Sequence, residues 1–165
     1  MGKLRSLGCW EVLPRSSFSQ NASVMKSRWI FTYKTNKLGD LKSVSHRSRF
    51  VVKDYFQVQG LQYFENYAPV ASFITIYLPF ALTSIPNFKV LQYNVYVAII
   101  QSKLDLNHPP VNCECAEEYE ERRKYVYHLH RHLYGMKDSP RGWGQLFASV
   151  CTEIGLSRLK SDECV

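Results

Sequence analysis

A chain of 165 residues has room for one domain with a genuine core, not for several. Its 45% hydrophobic and 14% aromatic content excludes a disordered chain, and no apolar run approaches the length of a membrane span. The net charge of +7 is unevenly placed: residues 1–60 carry 11 Lys and Arg against 3 acidic residues, whereas 111–165 carry 8 against 9. That excess reads either as a phosphate-binding footprint or as a solvated basic face.

Residues 1–27 mix Gly, Pro, Ser and Asn around Trp10 and Val12-Leu13-Pro14, and an irregular lead-in is expected there, followed by one domain over 28–165. Residues 1–6 are charged without an apolar core behind them, so no secretory signal is expected. The Asn21-Ala22-Ser23 sequon then has no route to glycosylation, and the five cysteines are expected as reduced thiols in an intracellular compartment. Alternation over 28–34, with Trp29, Phe31 and Tyr33 on one side and Ile30 and Thr32 on the other, predicts a strand. Asn36, Gly39 and Asp40 supply turn residues, and 47–53 is a second extended run. The two predict a hairpin with a long basic tip, bearing Arg28, Lys34, Arg47, Arg49 and Lys53.

Further along, Phe73, Ile76, Tyr77 and Phe80 fall at helix spacing within 69–86. Pro79 interrupts them, at a cost of about 3 kcal/mol or a kink. Residues 88–100 are rich in Val, Ile and Tyr and predict a largely buried strand. The stretch 105–124 has no clear period. It is broken by Asn107-His108-Pro109-Pro110 and then runs into charge. Alternation over 125–133 predicts another strand. Ser139 is placed to cap a helix with Pro140 in its first turn and Trp143, Leu146, Phe147, Val150 and Ile154 along one face, ended by Gly155.

Few side-chain patterns carry chemistry by themselves. His128, His130 and His132 alternate, so a strand would present all three on one face, where imidazoles can hold zinc or copper. No fourth ligand is identifiable, and the plainer reading is the outer face of a half-buried strand. Cys113 and Cys115 are spaced more closely than structural zinc sites use. No metal site is therefore assigned. No glycine-rich phosphate loop is present, and no serine or cysteine stands in a nucleophile context.

Several segments, taken in order, carry a family resemblance. They are Arg47-Ser48-Arg49-Phe50-Val51-Val52-Lys53 with Gln57 and Gly60; Tyr63-Phe64-Glu65 and Tyr67-Ala68-Pro69-Val70; Leu91-Gln92-Tyr93-Asn94-Val95-Tyr96; Leu133-Tyr134-Gly135 with Lys137, Pro140-Arg141 and Trp143; and Gly155-Leu156 with Ser161-Asp162-Glu163-Cys164. Together they resemble the reverse transcriptase of copia-type retrotransposons, an RNA-directed DNA polymerase, over nearly the full length. The resemblance implies an α+β fold comprising the fingers and part of the palm of a right-hand polymerase, truncated at its C-terminus. It also implies a nucleic-acid template-primer as partner. Arg47, Arg49 and Lys53 would line the path of the nucleotide phosphates, with Lys137 and Arg141 beside template and primer.

The departures bear on catalysis. In the family the position of Asn94 is an aspartate that binds catalytic metal, and two Mg²⁺ ions clamp the attacking and leaving oxygens. An asparagine offers only a neutral carbonyl oxygen. The adjacent aspartate pair that completes the family's site is also missing from these 165 residues. Asp54 stands for a usual glycine, Tyr77 for an arginine and Asp138 for a glutamine, and the chain is several residues short between Leu104 and Pro109. The expectation is a catalytically inactive reverse-transcriptase fragment with no cofactor of its own. The alternatives are a non-catalytic nucleic-acid-binding module and a functionless relic of a transposable element.

Overall fold

The computed structural model describes residues 2–19, 22–34, 45–53, 55 and 57–164. Helices and sheets are mixed along the chain, in the order α1 (Gly2–Ser6), β1 (Trp10–Pro14), β2 (Val24–Met25), β3 (Ser27–Lys34), β4 (Ser45–Val52), α2 (Phe73–Leu82), α3 (Ala98–Gln101), β5 (Asn112–Glu114), β6 (Tyr125–Leu129) and α4 (Ser139–Glu153). Four strands form one sheet in the order β1-β6-β5-β2. β1 and β5 run antiparallel to β6, while β2 runs parallel to β5.

The expected irregular lead-in over 1–27 is corrected by β1, which pairs with β6 from Trp10↔Leu129 to Pro14↔Tyr125. Gly and Ser around it hid the alternation of Trp10, Val12 and Pro14, too short a run to register as a strand. Cys9 and Trp10 are buried, and Trp10 stacks on Tyr127 with ring centroids 4.6 Å apart. Trp10 also meets Phe50 at 5.6 Å, and Phe50 meets Trp29 at 5.3 Å. This aromatic chain joins the four-stranded sheet to the hairpin, and buried rings of this kind supply the largest apolar areas in a small core.

The expected hairpin forms as β3 and β4, antiparallel from Ser27↔Val52 to Lys34↔Ser45. Its basic tip and Asp54 lie outside the described residues, as does Asn21 of the sequon. Trp29 faces the core through Phe50, whereas Phe31 and Tyr33 on the same side run out into solvent. Cys113 and Cys115 are buried free thiols. Burial pushes the Cys115 thiol up to about 11 and Cys113 higher still, so neither offers a ready thiolate.

Residues 88–97 correct the expected buried strand. They take an irregular exposed path, with Tyr93 83% exposed, before Val97 turns through φ +47° into α3. Val, Ile and Tyr make a strand only where another backbone pairs with them, and among the described residues none does. α2 forms as the spacing predicts and retains Pro79 inside it, but it buries no residue; Phe73 and Ile74 are 77% and 82% exposed. Ser72 caps it, its hydroxyl accepting from the Thr75 amide at 3.1 Å.

At α4 the cap is one residue earlier than expected. Asp138 occupies the N-cap position without a side-chain cap bond, and Ser139 is the first helical residue, with Pro140 beside it. The Ser139 hydroxyl instead donates to the Leu133 carbonyl at 2.6 Å. The helix ends as expected at Gly155. Its φ is +87°, Leu156 N–H donates to Cys151 O, and Gly155 N–H donates to Thr152 O, the paired bonds of a Schellman turn.

Candidate functional site

Leu133-Tyr134-Gly135 is held against the hairpin by backbone contact. Val51 bridges to Tyr134, and the Val52 amide donates to the Tyr134 carbonyl at 2.9 Å. Gly135 follows at φ +85°, where a β-carbon would fall 2.1 Å from the Val52 carbonyl oxygen. Only glycine permits that approach. The contact sets the Tyr134 ring under the Arg49 guanidinium, 5.9 Å from its centroid.

Arg47, Arg49, Asn94, Tyr96 and Tyr134 thereby line one cleft of about 520 Å³. The exposed segment around Asn94 forms its other wall. No aspartate or glutamate lines this cleft among the described residues; its charged groups are the two guanidiniums. The site therefore attracts anions and lacks the anionic oxygens that hold hard divalent ions.

The remaining basic residues lie elsewhere. The Lys53 amide donates to Lys26 O at 2.9 Å, and its side chain is half-buried. Lys137 is turned inward: its amide donates to Gln57 Oε1 at 2.7 Å, its ammonium to Gln57 O at 3.1 Å, and the ammonium lies 5.5 Å from the Tyr63 ring centroid. Gln57 is buried, so the shared feature of Gln57, Tyr63 and Lys137 is a packed polar joint. Arg141 pairs with the exposed Glu65, a surface interaction worth about 0–1 kcal/mol.

The three alternating histidines part company. His128 meets Asn112 Oδ1 at 2.8 Å, and its ring lies 5.5 Å from that of His130, the residue just after β6. His132 lies beyond the end of β6 and is buried against α4. There it joins Asp138 and His108, neither of which the sequence marked as a ligand. His108 Nε2 lies 2.5 Å from Asp138 Oδ2, and His132 Nε2 lies 3.7 Å from the same oxygen. Burial alone would push the Asp138 carboxyl up, but the His108 and His132 contacts outweigh it and hold the group well below the usual carboxylate range. For His108, burial opposes the charged ring. The Asp138 and Pro109 hydrogen bonds win and raise it. The sequence had marked His132 as a possible ligand and Asp138 as a departure from a glutamine, but nothing joined them to His108, from which 24 and 30 residues of chain separate them.

Comparison with known proteins places these features in a family. The reverse transcriptase (RNA-dependent DNA polymerase) family matches residues 10–164. The chain is 30% identical over 143 residues to the retrovirus-related Pol polyprotein from transposon TNT 1-94 of Nicotiana tabacum, covering 86% of this chain and 10% of that protein. It is 29% and 30% identical over 157 residues to the corresponding polyproteins from transposons RE1 and RE2 of Arabidopsis thaliana, covering 93% of this chain and 10% of each. The chain thus spans about a tenth of the length of these relatives. No solved structure matches it.

Proposed function

Since the chain belongs to the reverse transcriptase (RNA-dependent DNA polymerase) family of copia-type retrotransposons, we propose that it is a fingers-and-palm portion of such an enzyme that binds phosphate but does not polymerise. One observation carries this reading: among the described residues, Asn94 shares its cleft with Arg47 and Arg49 and with no carboxylate. The donor set there does not fit the two Mg²⁺ ions of polymerase chemistry. Such ions need several anionic oxygens to offset their mutual repulsion, and this cleft offers guanidiniums and one neutral amide.

Arg47 and Arg49 do fit a nucleic-acid or nucleotide phosphate. A guanidinium presents planar paired donors to phosphate oxygens, and the Tyr134 ring fixes the orientation of Arg49. This favours retained binding of template-primer as the second element of the proposal. Template-dependent primer extension with Mg²⁺ or Mn²⁺ is the test; incorporation above that of heat-denatured protein would overturn the inactive reading.

A further inference from the structure

The cluster of His108, His132 and Asp138 has a property that an ordinary ion pair does not explain. His108 Nδ1 lies 2.7 Å from the Pro109 carbonyl, which can only accept, so Nδ1 carries the hydrogen. Ser102 Oγ donates to the Ile99 carbonyl at 3.0 Å and lies 2.9 Å from His132 Nδ1, so it accepts there, and that nitrogen also carries its hydrogen. Each Nδ1 is thus turned outward to an oxygen and each Nε2 inward to the Asp138 carboxylate, and the hydrogen that His108 Nε2 shares with Asp138 Oδ2 at 2.5 Å is the one a metal ion would displace. Asp138 Oδ1 is buried with no hydrogen-bond partner. Three side chains able to ligate a metal, from two parts of the chain, thus meet within 4.8 Å of one another.

We propose that His108, His132 and Asp138 form a binding site for a divalent transition-metal ion of the zinc class, ligated by the two Nε2 atoms and the carboxylate. Zinc takes nitrogen at about 2.0–2.1 Å and carboxylate oxygen at about 2.0–2.2 Å in tetrahedral array, which sets ligand atoms roughly 3.3 Å apart. The separations of 2.5 and 3.7 Å bracket that value, so His108 Nε2 would draw back from the carboxylate by about 0.8 Å and His132 Nε2 approach it by about 0.4 Å. The outer contacts are those a metal-binding imidazole uses: each Nδ1–H is held by an oxygen that fixes the tautomer and turns Nε2 to the ion. Gly142 leaves space for the His132 ring against α4. The group lines a cleft of about 570 Å³ shared with Glu65, Asp105, Arg141 and Gln145, which gives the ion a route in and leaves a fourth position open to solvent. This site is separate from the Asn94 cleft, and its nitrogen donors suit a borderline ion rather than Mg²⁺.

Cobalt titration of the full chain, after stripping with chelator, tests the proposal. One equivalent of Co²⁺ should bind with the visible absorption of a four-coordinate nitrogen and oxygen site and be displaced by Zn²⁺. Asp138→Asn and His108→Gln should remove that spectrum. Ser102→Ala should weaken binding about 10–100-fold, because His132 Nδ1–H would have no hydroxyl oxygen to hold it, while His128→Ala should leave binding unchanged. In the unmodified protein, which avoids any folding defect of the variants, Zn²⁺ should shift the imidazole resonances of His108 and His132 and not those of His128 and His130. The proposal is overturned by the opposite pattern of shifts, by thiolate-to-cobalt charge-transfer absorption, or by the absence of saturable binding.

Discussion

Gly142 and His132 occupy one another's space: a β-carbon on Gly142 would lie 2.4 Å from Cε1 of the His132 ring. The ring is buried and held at Nδ1 by Ser102, which limits how far it can give way. Gly142→Ala should gain up to about 1 kcal/mol of helix propensity and lose about 1–3 kcal/mol to overpacking, with the clash prevailing. Gly144, two residues on in the same helix, has nothing within 4 Å of its missing β-carbon. Gly144→Ala should therefore stabilise by up to about 1 kcal/mol. Urea denaturation of the two variants checks the contrast; equal effects would refute it.

Gly135→Ala should be more damaging than Gly142→Ala. Its obstacle is the Val52 backbone carbonyl rather than a side chain, and its φ of +85° disfavours any β-carbon. Separation of Tyr134 from Val52 should also free Arg49 from the ring beneath it. Loss of protection at the Val52 amide in hydrogen exchange would report this directly.

Replacing both Arg47 and Arg49 by Gln should reduce the salt dependence of nucleic-acid affinity by about 0.7–0.9 in log-log slope for each phosphate no longer neutralised. Lys137→Gln should leave that slope unchanged while lowering stability, because the ammonium already serves Gln57 and Tyr63. Fluorescence anisotropy over a salt series separates the two, and an equal loss of slope in Lys137→Gln would contradict the inward placement.

Asn94→Asp should not create polymerase activity or a tight Mn²⁺ site. The new carboxylate would stand in a cleft whose other charged groups are Arg47 and Arg49, which would compete with the ion for it. Paramagnetic broadening by Mn²⁺ around residue 94 in this variant, at concentrations that leave the parent unaffected, would show otherwise.

Asp162 ties the C-terminal segment to the start of α2, accepting from the Thr75 hydroxyl at 2.6 Å, the Ser72 amide at 2.9 Å and the Cys164 amide at 2.9 Å. These bonds, the Thr75 hydroxyl first, lower its carboxyl from 3.8 to about 2. A lowered folded-state value means the tie is complete above about pH 4, weakens as the pH falls, and is lost through about 2. Asp162→Asn should give the acid behaviour at neutral pH. Faster amide exchange at Ser72 and Thr75 in that variant would bear it out, and unchanged exchange would refute it.

Local signals were legible where a short stretch of chain decides its own conformation. The β3–β4 hairpin follows from alternation at 28–34, and α4 follows from Pro140 at its start and Gly155 at its end. Residues 88–97 misled because their strand-like composition is a promise that only a pairing partner can keep. β5, three residues long, had no period to display. His128, His130 and His132 looked equivalent because alternation assumes an unbroken strand, and β6 ends at Leu129.

Family membership was determined by the sequence alone, because the order and spacing of its motifs are properties of the chain before it folds. That Asn94 brings no charge was visible there too, since charge belongs to the residue. That Asn94 shares a cleft with Arg47 and Arg49, and that His108 meets His132 and Asp138, was decided only in three dimensions. Those groups are distant along the chain. Gly135 against Val52 and Gly142 against His132 bring the surrounding elements close enough to set their geometry.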